Sequence, residues 1–99
     1  MADDQGDKLL ALRAKFIATM GTRADALSRL LEGPDDFNRQ EAIQEIVHKI
    51  AGAAGFYGEQ GIAEAAAKID QPLKLALERG ESLNKDAELQ DLIRLIGKL

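Results

Sequence analysis

Four runs of apolar residues spaced three and four apart, with glycine-marked breaks between them, leave this 99-residue chain one economical architecture. An apolar position every 3.6 residues defines one face of an α-helix, and such a face must be buried against another. Leu9, Leu12, Phe16, Met20, Leu27 and Leu31 predict one long helix from Asp7 to about Glu32, with Gly21-Thr22 as a point where it can bend. Gly33-Pro34-Asp35-Asp36 stops that helix and starts the next, which runs from about Asp36 to Ala54 or slightly beyond and is closed by Gly55 to Gly58. A third helix carries Ile62, Ala65, Ala66, Ile69, Leu73, Ala76 and Leu77 on one face. Pro72 lies inside it, and because the apolar phase survives on both sides the expectation is a kink, not a break. Gly80 ends this helix, and Asn84 or Asp86 caps a last one bearing Leu89, Leu92, Ile93, Ile96 and Leu99. Amphipathic helices joined by short connections predict an all-α, antiparallel up-down-up-down four-helix bundle. Residues 7–99 form the single domain, and residues 1–6 a polar N-terminal tail.

Composition narrows the function classes. The formal charge of −4 argues against nucleic-acid binding, which calls for a basic stripe. Neither a basic amphipathic face nor a long apolar run suggests a membrane. Met1-Ala2-Asp3-Asp4 is acidic and lacks the regions of a signal peptide. The absence of cysteine removes disulfides, thiolate metal sites and a cysteine nucleophile. The expectation is a cytoplasmic monomer.

The only histidine, His48, lies in Val47-His48-Lys49-Ile50-Ala51-Gly52-Ala53-Ala54-Gly55-Phe56-Tyr57-Gly58. With His48 set at 0° on a helical wheel, Ile43, Ile46, Val47, Ile50 and Ala54 fall between roughly 160° and 260°. The imidazole therefore points away from the apolar stripe. Its neighbours one turn on are Ala51 and Gly52, with Gly55 a turn further, while Gln44 lies one turn back. Glycine inside a helix is less favourable than alanine by about 1 kcal/mol. Two glycines on one exposed face clear space for a partner to approach the ring.

Other chemistries fit less well. The glycines at 52, 55, 58 and 61 follow a helix, not a strand, and lack the Gly-Lys-Ser/Thr of a phosphate loop. Glu41 and Glu45 near the His48 face read as a solvated acidic flank, not metal ligands. A hydrolytic triad lacks an activated serine and any orienting partner for the imidazole. Phe37 projects near the His48 stripe and is expected to pack under the first turn of its helix instead of docking a partner.

The spacing His-x-apolar-x-Gly-small-small-x-x-apolar-Gly resembles the signature of histidine phosphotransfer (HPt) domains, His-x-Leu-Lys-Gly-Ser-Ser-x-x-Leu-Gly. His48 matches the phosphoacceptor, Ile50 the aliphatic, Gly52 the first glycine, Ala53 and Ala54 the small pair, Tyr57 the apolar place and Gly58 the closing glycine. The family's lysine three residues after the histidine is Ala51 here, and Lys49 is the nearest cation, about 100° round the helix. The resemblance implies a two-component phosphorelay protein. It would accept a phosphoryl group on His48 from an aspartyl phosphate of a response-regulator receiver domain and pass it on, working with receivers and hybrid sensor kinases. It would be a carrier without kinase activity of its own, needing no cofactor, since the receiver brings its carboxylates and Mg²⁺. An exposed imidazole keeps a free lone pair near neutral pH, so the attack needs no base from this chain. Lys49, Ala51, Gly52, Gly55 and Gln44 would form the docking and phosphate-adjacent surface. Two alternatives stand beside this. One is a sensor-kinase phosphoacceptor domain, which typically has Glu or Asp after the histidine where this chain has Lys49; the other is a helical interaction module whose histidine is never phosphorylated.

Overall fold

A computed structural model describes residues 3–99, and its order is α1 (Asp3–Glu32), α2 (Phe37–Phe56), α3 (Gln60–Glu78) and α4 (Asp86–Gly97). Consecutive helices pack against one another and α1 packs on α4, so the four close into a ring around one core. This is the expected antiparallel bundle. The core is built from Phe16, Met20 and Leu27 of α1, Ile43, Val47, Ile50 and Ala54 of α2, Ile62, Ile69 and Leu73 of α3, and Leu89, Leu92 and Ile96 of α4. Burying each large aliphatic side chain stabilises the fold by about 1.5–3 kcal/mol.

The helix ends follow the local chemistry. Asp36 is the N-cap of α2, its Oδ1 accepting the backbone N–H of Arg39 at 2.8 Å. Gly58 and Gly80 close α2 and α3 at φ of +77° and +69°, a region other residues rarely enter. Before α4, Asn84 Oδ1 accepts the Asp86 N–H at 3.0 Å, while the N-cap position itself is Lys85. α1 runs unbroken through Gly21-Thr22, and α3 through Pro72.

The N-terminus departs from expectation. Helix α1 begins at Asp3, so residues 3–6 are helical where a tail is expected, and residues 1–2 lie outside the described part. At 30 residues α1 spans about 45 Å, against about 30 Å for the 20 residues of α2. Its first turns outrun the bundle, which explains why Leu9 and Leu12, in phase with the core stripe, are exposed.

At the base of α2, two buried polar residues tie the loops together. Arg39 donates from Nη2 to Asp86 Oδ1 at 2.8 Å and from Nη1 to the Gly33 carbonyl at 3.3 Å. Gln40 accepts the Leu83 backbone N–H on Oε1 at 2.9 Å. These contacts hold the α1–α2 and α3–α4 connections against the start of α2.

Candidate functional site

Helix α2 divides lengthwise into a buried and an open face. Ile43, Val47, Ile50 and Ala54 are inside, Ile46 is half-buried, and Glu41, Glu45, His48, Lys49, Gly52 and Gly55 are exposed. The His48 side chain is 67% exposed, enough for a partner to reach the ring while one edge stays held. A Cβ built on Gly52 or Gly55 would meet nothing within 4 Å. Packing therefore does not demand glycine at either position, and both leave open space beside the ring. Ala51 differs from the rest of the surface, being half-buried against the core.

The expectation that the imidazole has no orienting partner is wrong. Asp70, on α3, places Oδ2 2.8 Å from His48 Nδ1. Its other oxygen, Oδ1, accepts from Gln44 Nε2 at 2.7 Å. An ionised carboxylate can only accept, so Nδ1 is assigned as the protonated ring nitrogen and Nε2 keeps its lone pair. Asp70 is itself buried at 8% exposure, and the two side chains of α2, one turn apart, both close on it. The result is a short chain, Gln44 to Asp70 to His48, which fixes the tautomer and turns Nε2 outward. Among the described residues nothing bonds to Nε2.

A wheel drawn for α2 alone cannot show a contact from another helix, so this partner is not visible in the periodicity of α2. A signal was nonetheless present on α3. Ala63, Ala66, Leu73 and Leu77 form an inward series at helical spacing, and Asp70 interrupts it in phase. A carboxylate in an apolar stripe must find hydrogen bonds there, and the side chains offering them are Gln44 and His48.

The remaining expectations divide. Lys49 leans back along its own helix, its Nζ 3.6 Å from Glu45 Oε1. Phe37 does not pack under the first turn of α2. It is 43% exposed and lines a groove of about 450 Å³ between α2 and α3 with Glu41, Gln44, Glu45, Lys74 and Leu77. Tyr57 is half-buried, stacked on Phe16 at a centroid distance of 4.5 Å, and so pins the end of α2 to α1. Glu59, just beyond, is paired with Arg13. No group of three ligating side chains suited to a metal ion is found among the described residues, and none of their helices is long and apolar enough to cross a membrane.

A nucleophilic nitrogen turned to solvent, oriented by a buried carboxylate and flanked by open glycine positions, is suited to accept a group from a macromolecular donor. A family model described as Hpt domain matches residues 11–98. Comparison with curated proteins and with solved structures returns no match.

Proposed function

The chain belongs to the Hpt domain family, phosphocarrier modules that act in phosphorelays with receiver domains and kinases, and from that premise we propose that His48 is its phosphoacceptor. The observation that carries the reading is the pairing of Nδ1 with Asp70 at 2.8 Å, which leaves Nε2 as the free nucleophile.

In the proposed step the Nε2 lone pair attacks the phosphorus of a receiver's aspartyl phosphate. A P–N bond forms while the P–O bond to the aspartate breaks, and that bond's electron pair leaves with the carboxylate. The proton on Nδ1 stays in place. Positive charge develops on the ring as Nε2 gives up its lone pair, and the Asp70 carboxylate offsets it without moving. Gln44 acts through Asp70, holding its second oxygen so that the first stays aimed at the ring. Asp70 and Gln44 are thus positioning residues. Gly52 and Gly55 give the receiver room to bring its phosphoryl group to Nε2. The reverse step uses the same groups, which suits a carrier that passes phosphoryl groups between receivers.

The experiment is incubation with a phosphorylated receiver domain. Wild-type protein should gain one phosphoryl group that acid removes and alkali spares, and His48→Gln should gain none while keeping its helical circular dichroism and thermal midpoint. Labelling of a folded His48→Gln variant would refute the assignment. A wild-type chain that takes no label from any phosphorylated receiver would favour the interaction module instead.

A further inference from the structure

Phosphohistidine carries a compact negative charge, and the position where the family pattern supplies a lysine holds half-buried Ala51. Two lysines lie near enough to matter. Lys49 is the sequence neighbour, but its ammonium is engaged with Glu45 and it stands about 100° round the helix from His48. Lys74 belongs to α3, four residues beyond Asp70 and therefore one turn along on the same face. It is exposed, it lines the α2–α3 groove beside Gln44 and Glu45, and among the described residues it makes no ion pair within 4 Å.

Helix geometry brings this lysine and the histidine together. Side chains on a helix lean toward its N-terminus. Helices α2 and α3 are antiparallel neighbours, in register where Gln44 and His48 both meet Asp70. The His48 side chain accordingly leans toward Gln44, and so toward the turn of α3 that holds Lys74. On α3 the Cα–Cβ bond of Lys74 is tilted the opposite way, toward the turn that holds Asp70. A four-carbon stem lets the ammonium cover the remaining separation. On the opposite side of Asp70, α3 offers only Ala63 and Ala67 on this face, which carry no charge.

We propose that Lys74, from the neighbouring helix, is the cation that contacts the phosphoryl group on His48 and takes the place of the lysine absent at position 51. This rests on the reading of His48 as phosphoacceptor. The contact is made only once the phosphoryl group is present, so Lys74 favours the phosphorylated state and leaves the resting fold alone. The carboxylates of Glu41, Glu45 and Glu78 border the same groove.

The test uses the full chain phosphorylated with phosphoramidate, which requires no receiver, and follows the phosphoryl titration by ³¹P NMR. A neighbouring cation favours the dianion and lowers the titration midpoint. A solvent-exposed contact of this kind is worth about two- to fivefold in that equilibrium, or about 0.3 to 0.7 pH unit. Lys74→Ala should raise the midpoint by this amount, Lys74→Arg should hold it near the wild-type value, and Lys49→Ala should move it less than Lys74→Ala does. An unchanged midpoint in Lys74→Ala, an equal or larger rise in Lys49→Ala, or the same rise in Lys74→Arg would overturn the role of Lys74. Failure of the underlying reading shows itself separately, as folded wild-type protein whose histidine labels no faster than it does in the unfolded chain.

Discussion

Helix α2 takes part in two polar clusters about two turns apart, each with a buried charge, and they put similar groups to opposite ends. At its base, Arg39 and Gln40 are both buried, and their bonds run to Gly33 and Leu83 in the flanking connections and to Asp86 at the start of α4. Every one of those contacts closes a loop. Further along, Gln44, Asp70 and His48 again join two helices, but the chain of bonds ends on a ring that is largely in solvent with one nitrogen unused. Bonds that all end within the fold mark a structural tie, and a held side chain with one ring nitrogen left open to solvent marks a site. Burial of the charge does not separate the two, since Asp70 is as hidden as Arg39.

That contrast breaks most readily at Arg39. Replacing it by alanine removes the ties to Asp86 and to the Gly33 carbonyl. Asp86 is 43% exposed and can turn to water, which moderates the loss. Arg39→Ala should lower unfolding free energy by about 2 kcal/mol in urea denaturation, with phosphotransfer per folded molecule unchanged. A comparable loss of transfer in the folded fraction would show that the two clusters are not independent.

Asp70→Asn inverts the expectation. The amide can still accept from Nδ1 but no longer carries the charge that offsets the developing imidazolium. Loss of one charge-assisted hydrogen bond, largely open to solvent on the histidine side, should slow transfer about tenfold, with a thermal midpoint near wild type. Transfer at the wild-type rate would reduce Asp70 to a structural tie like Arg39.

How much of this the sequence discloses depends on whether the information lies along one helix or between two. The bundle follows from four apolar stripes, and the open face of α2 follows from one wheel, because both are properties of local periodicity. His48, Gly52 and Gly55 are exposed for that reason. The partner of His48 lies 22 residues away on α3, and the pairing depends on the register of two helices, which periodicity does not fix. Phe37 and Leu9 are misjudged for a related reason: a wheel gives direction, but what stands opposite on the neighbouring helix decides whether an apolar side chain is covered. The overhang of α1 leaves Leu9 with nothing to pack on.

The smallest effect on stability is expected at Gly52. A side chain there meets nothing, and glutamine is the better helix former by up to about 1 kcal/mol. Gly52→Gln should therefore melt at the same temperature or higher, yet transfer from a receiver should slow while labelling by phosphoramidate, a small donor, stays close to normal. Equal slowing with both donors would mean that the glycine shapes the ring's own environment and not the space a partner enters.

The central claim is that Asp70 occupies Nδ1 and leaves Nε2 of His48 to take the phosphoryl group. Its most direct test is a long-range ¹H–¹⁵N correlation spectrum of the ¹⁵N-labelled protein before and after phosphorylation. The account predicts a ring protonated on Nδ1 in the resting protein and ³¹P coupling to Nε2 after transfer, with Nδ1 still bearing its proton. Phosphorus bonded to Nδ1, or a resting ring protonated on Nε2 alone, would contradict it.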